Sequence, residues 1–573
     1  MTSLSPSAYP DTFARDHLPP PEQWPVIEFT TTELQYPDRL NAAVELIDVP
    51  VATFGPDRPA LRTPDGEVWS YGQLQSRANQ VAQVLVDDLG LVPGNRVMLR
   101  FPNTPWSVAV WLGVLKAGGI VVTTFAALRP HELTPIATKC RPSIAVVDHR
   151  FTEGLDAVLA PWDMAVVTCG SASADDLIAR AGDKSGEFTA VETAADDVAL
   201  FGPTSGSTGV PKITTHFHRD LLSIDNTFGR HVLRLQPDDL VACTAPFAFT
   251  FGLGMLVVFP LRAGACAMLT EQATPEQLAD VISEHGVTVV ATAPTAYKRI
   301  LVVGKGDQLR GLRTAVSAGE ALLPETWQRV HDETGLRIID GIGGTELLHI
   351  FITAAGDDIR PGALGKPVPG YRATILDDDG AELPAGIAGR LAVIGPVGCR
   401  YLDDERQLVY VVGGWNVTGD TFIRQEDGYF SFRARTDNMI ISSGYNIAGP
   451  EVEAAINTFP DVAECAVVAR PDEARGSVVC AFIVLRPGVV GDAQKAREIQ
   501  DHVKAEVAPY KYPRDVRFVE VLPRNASGKM QHFQLRRQIE TETTESDETS
   551  STPMRPTATS TAGTTAGARE DQP

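Results

Sequence analysis

Thr204-Ser-Gly-Ser-Thr-Gly-Val-Pro-Lys212 sets four hydroxyl side chains and two glycines in its first six residues and closes on a lysine. Glycine lets backbone N–H groups turn inward and approach a ligand closely. The hydroxyls add donors with little bulk, and the lysine adds a positive point charge. Together they suit a polyphosphate. The spacing differs from the P-loop of NTPases, which needs a Gly-Lys-Ser/Thr end. The bland alternative is a flexible polar turn after the strand-like run Val198-Ala-Leu-Phe201.

Outward from this loop, apolar runs of strand and helix period alternate. Tyr71 opens a helical repeat that ends near Gly90, Arg96–Arg100 reads as a strand, Trp106–Lys116 as a helix and Ile120–Thr124 as the next strand. Such alternation indicates layered α/β structure. Past the loop, Arg219–His231 reads as a helix and Leu240–Cys243 as a strand. Strands at Val287–Ala291, Leu312–Val316 and Leu336–Ile339 each run into a short turn of small or polar residues. Ligands of open α/β sheets gather at the carboxyl ends of strands, so these turns are expected to share one site. The stretch from Gly365 to Phe432 has short β-like runs and many turns. After Arg435-Thr-Asp437 a compact α/β unit of alternating elements follows. The expected fold is therefore α/β: a large N-terminal domain of layered sheets with a small β sub-domain over 1–434, and a small mobile C-terminal α/β domain over 435–540. Residues 541–573 are rich in Thr, Ser, Glu and Ala and lack Leu, Ile, Val and aromatics, so they are expected to be disordered.

The bulk properties exclude several classes. A net charge of −22 argues against a nucleic-acid binder, which needs a basic face. Seven scattered cysteines without a C-x-x-C pair fit buried free thiols in a reducing compartment, and the cytoplasm is the expected location. The first 25 residues are polar and proline-rich, without the apolar core of a secretory signal. The arm up to about residue 45, with Pro19-Pro20-Pro21 and Trp24-Pro25, can only lie across another surface. Phe251 to Leu269 is the most membrane-like stretch. Its Pro260, Arg262 and glycines favour a buried strand–loop–strand, so no membrane association is expected. A homodimer is compatible with the sequence, which shows no interface for it.

Several separated segments, in order, resemble the acyl-adenylate-forming enzymes: acyl-CoA synthetases, peptide-synthetase adenylation domains and luciferases. The opening stretch is similar to their phosphate loop (Thr204, Ser205, Gly206, Ser207, Thr208, Gly209, Lys212). Ser317-Ala318-Gly319-Glu320 resembles the adenine-edge loop, Asp340-Gly341-Ile342 leads into Gly343-Gly344-Thr345-Glu346, which resembles the Gly-x-Thr-Glu motif, and Thr418-Gly-Asp420 resembles the ribose motif. Arg435-Thr-Asp437 resembles the hinge, and Asn525-Ala-Ser-Gly-Lys529 the C-terminal lysine motif. The resemblance covers about residues 50–540, and it implies ATP, Mg²⁺ and coenzyme A. A free carboxylate is a poor acyl electrophile, and joining it to the α-phosphate of ATP supplies a good leaving group, AMP. Attack brings an anion onto a polyanion, so charge must be neutralised there. The resemblance gives that role to Lys529. It makes Glu346 the Mg²⁺ ligand, sets Thr345 on the α-phosphate, and sets Asp420 on the ribose hydroxyls with Arg435 close by. Asp437 would be the hinge that turns the small domain, and Ser443, Gly444 and Tyr445 would meet coenzyme A. Taken singly, Lys529, Asp420 and Glu346 are ordinary loop, cap and helix-start residues; their ordered occurrence carries the assignment.

Asp340-Gly-Ile-Gly-Gly-Thr-Glu-Leu-Leu-His-Ile-Phe351 is similar to the benzoate–CoA ligase branch, and Asp11-Thr-Phe-Ala-Arg-Asp16 with Leu18–Trp24 is similar to 2-aminobenzoate–CoA ligases. This implies a short, flat, apolar pocket with Thr250, Phe251, Gly344, His349 and Ile350 as wall residues and Tyr297 as a weaker candidate. Thr250 stands where benzoate-type enzymes often have alanine, so its hydroxyl is a candidate partner for an ortho substituent; the alternative is a bond to a neighbouring carbonyl. His216-Phe-His218 has no third ligand spaced for a metal and reads as structural. The expected activity is an ATP-dependent aryl-CoA ligase. Alternatives within that chemistry are salicylate or benzoate as acid, or a carrier-protein thiol as acceptor. A non-catalytic nucleotide binder is the competing class, and it has little need for both Lys529 and Glu346.

Overall fold

The computed structural model describes residues 4–159, 161–162, 164–204, 211–435, 439–442, 445–472, 475–507, 511–524 and 530–550. A six-stranded sheet runs in the order Ala165–Cys169, Ile144–Asp148, Arg96–Phe101, Ile120–Phe125, Val198–Thr204, Lys212–Phe217. Its strands are parallel except for the last pair, an antiparallel hairpin in which Thr204 faces Lys212. Central parallel strands are covered on both faces, so they read as continuous apolar runs; Arg96–Phe101 and Ile120–Phe125 are buried throughout. One cover is the helix Pro105–Lys116, packed on the helix Tyr71–Gln83. Both helices start with a capping box, Ser70 with Gln73 and Thr104 with Ser107. Gly113 lets them touch, since a Cβ there would stand 2.7 Å from a Val81 methyl.

A nine-stranded sheet holds, among others, the parallel neighbours Leu240–Cys243, Val289–Thr292, Thr314–Ser317 and Ile339–Gly343. Register sets Thr292 beside Ser317 and Ser317 beside Asp340, so the strand ends expected to share a site do end together. A five-stranded antiparallel sheet follows, made of Arg372–Leu376, Ala388–Ile394, Val411–Val412, Trp415–Arg424 and Phe430–Arg435. The C-terminal part is smaller. It holds a hairpin, Met439–Ser442 with Tyr445–Ala448, and a three-stranded sheet, Val462–Asp472, Gly476–Leu485 and Asp515–Phe518, covered by the helices Gly449–Asn457 and Ala493–Glu506. This matches the α/β class read from the sequence.

Three expectations change. Residues 251–269 are mostly helical: Thr250–Leu253, Gly254–Val258 and Phe259–Ala263 form one continuous helical run, and only Cys266–Met268 is a strand. A continuous apolar run has no period that separates a buried helix from a buried strand, and Pro260 lies inside the helical run, just after the more widely wound turn Gly254–Val258. Next, the strand read at Leu336–Ile339 begins only at Ile339 and runs to Gly343. Finally, the last helix runs His532–Ser550, so residues 541–550, read as disordered, are helical. Leu535 and Ile539 dock that helix on the C-terminal sheet, and Glu542 pairs with Arg517 at 2.6 Å, which carries the helix past its apolar end. Residues 551–573 lie outside the described residues.

The N-terminal arm lies across the six-stranded sheet's own domain. Asp197 accepts from Ser7 Oγ at 2.5 Å and from the Ala8 amide at 3.0 Å, Asp11 pairs with Arg96, and Trp24 covers the Arg400 guanidinium at 4.9 Å. All seven cysteines are free and buried, as expected. Among the described residues no helix is long and apolar enough to cross a membrane.

Candidate active site

The site starts from the base of the hairpin whose strands end at Thr204 and begin at Lys212. Gly202, two residues before Thr204, lies under the Thr345 side chain: a Cβ at 202 would stand 3.0 Å from the Thr345 methyl and 2.7 Å from Thr214 Oγ1. The lack of a side chain there lets the Gly343–Glu346 segment close on the hairpin. Glu346 then faces Lys212, Nζ to Oε1 3.6 Å, with both side chains largely buried. Between them stands Tyr401, whose hydroxyl donates to Glu346 Oε1 at 2.5 Å and accepts from Lys212 Nζ at 2.6 Å. The lysine also sits 4.6 Å over the Tyr401 ring. The motif reading did not find Tyr401. It lies in a turn-rich stretch, and only an extra bridge to Thr214 brings it to the hairpin.

The nucleotide side is built from the strand ends. Ser317 and Asp340 are adjacent, and Ala318, Gly319 and Glu320 leave the sheet with Gly319 at φ +88°, a left-handed turn that glycine favours. Burial raises the Asp340 carboxyl well above its ordinary range, and its Oδ1 has no hydrogen-bond partner. A buried, unpaired oxygen beside this turn suits an amino group of a bound base. Gly341 admits Ile350: a Cβ at 341 would meet its side chain at 2.7 Å. Ile342 is half-buried on the central core. Asp420 lies opposite Arg435 in the antiparallel pair of Trp415–Arg424 with Phe430–Arg435.

His349 is the most telling side chain. It is 3% exposed, and neither ring nitrogen has a hydrogen-bond partner. Phe228, Phe251 and Phe259 surround it with ring centres at 5.0, 5.6 and 4.7 Å, and Gly254 makes the remaining room, since a Cβ there would stand 2.5 Å from the ring. Burial lowers its pKa to about 3, so the ring is neutral at pH 7; the Phe251 backbone, which raises it slightly, lies outside hydrogen-bond geometry. Thr250 begins the adjoining helix and is half-buried, as is Phe251. Tyr297, the weaker wall candidate, is fully buried elsewhere in the core and donates to the Val316 carbonyl at 2.9 Å. His216 and His218 are fully buried and held neutral, with pKa values lowered by burial to about 3 and about 4. His218 bonds the Tyr9 hydroxyl and the Ala42 amide, which agrees with a structural reading.

Arg524, the residue before the Asn525–Lys529 segment, reaches Glu320 at 3.4 Å and Glu464 at 2.6 Å, so it ties the turn after Ser317 to the C-terminal sheet. Lys529, Ser205, Gly206, Ser207, Thr208, Gly209, Asp437, Ser443 and Gly444 lie outside the described residues. Of Arg435 and Tyr445 only the backbone is described. Among the described residues there is no cluster of three His, Cys, Asp or Glu side chains that could hold a metal.

Residues 50–400 match the family model "AMP-binding enzyme", and residues 451–529 match "AMP-binding enzyme C-terminal domain". The chain is 34% identical to the benzoate–CoA ligase of Thauera aromatica over 522 residues, covering 88% of this chain and 98% of the relative. It superposes with a TM-score of 0.84 on the anthranilate CoA ligase AuaEII in complex with anthranoyl-AMP, at 32% identity over 90% of this chain and all of the other. It superposes with a TM-score of 0.80 on a benzoate CoA ligase from Burkholderia xenovorans LB400, at 29% identity over 87% of this chain and all of the other. Motif order, fold and these matches agree: the chain belongs to the acyl-adenylate-forming AMP-binding enzymes, in the benzoate–CoA ligase branch, and is an AMP-forming acid–thiol ligase.

Proposed function

We propose that the protein is an aryl-CoA ligase. It would activate a small benzoate, with 2-aminobenzoate or a similar ortho-substituted acid preferred, as the aryl-AMP and then pass the aryl group to coenzyme A. The observation that carries the acid is the buried, neutral His349 with two unpaired nitrogens inside an aromatic cage. A buried polar group without a partner is costly unless a ligand supplies one. The surrounding rings favour a flat apolar body, and the half-buried Thr250 at the start of the adjoining helix is the candidate partner for a polar ortho group. Both anthranilate and benzoate occur in the names of the relatives.

In the first step a carboxylate oxygen attacks the α-phosphorus and pyrophosphate leaves. Lys529 neutralises the charge that gathers there, Thr345 donates to the α-phosphate, and Lys212 holds the outer phosphates with Ser205–Gly209. Asp420 accepts from the ribose hydroxyls, with Arg435 beside it. Mg²⁺ fits the Glu346 corner. The donors are hard oxygens, and Gly344 leaves Oε2 uncovered, a Cβ there standing 3.3 Å from it. When bound, Mg²⁺ supplies charge neutralisation on the outer phosphates. In the second step the coenzyme A thiolate attacks the acyl carbon and AMP leaves. Turning at Asp437 would bring Ser443, Gly444 and Tyr445 to the site for that step.

Release of AMP with ATP, Mg²⁺ and coenzyme A should be measured across benzoate, 2-aminobenzoate, salicylate, 4-hydroxybenzoate, cinnamate and a medium-chain fatty acid. The two ortho-substituted acids should lead, and Thr250→Ala should shrink their advantage over benzoate. Turnover of the fatty acid or cinnamate would overturn the short pocket, and an unchanged preference in Thr250→Ala would remove the threonine from it. Aryl-AMP formed without consumption of coenzyme A would make a carrier-protein thiol the acceptor.

A further inference from the structure

Among the described residues, Tyr401 is the side chain that joins the hairpin lysine to the carboxylate after Thr345, and nothing in the reaction scheme above uses it. Its position is set by backbone. The Leu402 amide donates to the Ile213 carbonyl at 2.9 Å, the Thr215 amide donates to the Arg400 carbonyl at 2.8 Å, and the Tyr401 amide donates to Gln407 Oε1 at 2.9 Å. Residues 400–402 thus ride on Lys212–Phe217 as a short added strand. Tyr401 is fully buried, while the two charged groups it touches sit at the rim of the site.

Charge chemistry says what this does. A lysine and a glutamate this near, in a poorly solvated corner, attract strongly and close to direct contact unless something stands between them. Their nitrogen and oxygen are 3.6 Å apart, and the phenol oxygen bonds both. A closed pair would occupy the carboxylate that Mg²⁺ needs and the ammonium that phosphate needs. We propose that Tyr401 is a positioning residue: its hydroxyl keeps Lys212 and Glu346 from collapsing into a contact ion pair and points each toward the metal–nucleotide. The inference rests on the ligase reading above for the identity of that ligand.

Tyr401→Phe keeps the ring and removes the hydroxyl. Mn²⁺ binding to the full-length protein with a non-hydrolysable ATP analogue, followed by loss of the free Mn²⁺ EPR signal, should weaken about tenfold, the scale of one charge-assisted hydrogen bond. KM for ATP should rise about as much, while KM for the aromatic acid and for coenzyme A stays within about twofold. Combining Tyr401→Phe with Glu346→Gln should add little to the loss from Glu346→Gln alone, because the phenol acts through that carboxylate. Unchanged Mn²⁺ affinity in a folded Tyr401→Phe, or additive losses in the double variant, would overturn the proposal. Should Tyr401→Phe not fold, Gln407→Met loosens the tyrosine's backbone anchor and decides the matter: the same pattern at about threefold supports the spacer, and none refutes it. The Mn²⁺ readout does not depend on which acid is activated, so a failed acid panel and a failed spacer are separate results.

Discussion

His349 shows how one residue can be legible in kind and hidden in role. Its position after Thr345-Glu346 marked it as a pocket candidate, but only packing reveals that both nitrogens are bare. Such a group costs stability, about 1–3 kcal/mol, and functional sites are where such costs persist. His349→Phe should therefore fold and match or exceed the native protein in stability at pH 7 while losing aryl-AMP formation. The pH dependence is also set. The folded pKa is lowered to about 3 by burial, against about 6.5 in an unfolded chain. The residue's contribution to the native state is thus complete above about pH 6.5. It falls by about 1.4 kcal/mol per pH unit as the pH drops toward 3, because the unfolded chain binds a proton that the native site excludes. The stability of His349→Phe relative to the native protein should rise with that slope between pH 6 and pH 4.5, measured by urea unfolding. A flat difference would mean that the histidine titrates normally.

At the scale of elements, the hairpin Val198–Thr204 with Lys212–Phe217 organises the site. Gly202 accepts Thr345, Thr214 anchors residue 401, and Lys212 faces Glu346. The first strand was readable, because an apolar run closed by a Gly/Ser/Thr cluster reads as a strand entering a turn. Thr214 and Tyr401 were not, because a bridge between residues so distant in sequence leaves no local period. Gly202→Ala tests the close approach. The added methyl would crowd the Thr345 methyl and Thr214 Oγ1, and one of them must shift. The expected outcome is a fall of about tenfold in kcat for aryl-AMP formation, with a stability loss of about 1–3 kcal/mol. Pyrophosphate exchange and thermal unfolding measure the two. An unaffected kcat would show that Thr345 needs no fixed seat on the hairpin.

For the whole molecule, the contact to examine is Arg524 between Glu320 of the large domain and Glu464 of the small one. It ties the turn after Ser317 to the C-terminal sheet one residue before the Asn525–Lys529 segment, and under the proposed mechanism this is the pose that would serve adenylation. Glu320→Gln should weaken that pose. Aryl-AMP formation should slow several-fold, while thioester formation from supplied aryl-AMP, which the proposed turn at Asp437 would give to another pose, changes by less than about twofold. Single-turnover assays of the two half-reactions separate them, and equal slowing of both would assign Glu320 to nucleotide binding alone.

The sequence by itself determined the chemistry: the order of the loop, the Thr345-Glu346 motif, Asp420 and Lys529 marks adenylate formation, and alternating periods mark the layered α/β class. Taken singly those residues are ordinary, so it is their order along the chain, and the resemblance it carries, that names the chemistry, while the alternation of periods is local. Only the tertiary structure decided that residues 251–269 are largely helical, that the last helix runs on to Ser550, that Tyr297 belongs to the core, and that Tyr401 stands between Lys212 and Glu346. Each of those outcomes depends on which apolar face or unpaired polar atom finds a distant partner, and burial is a property of the folded chain, not of any stretch of it.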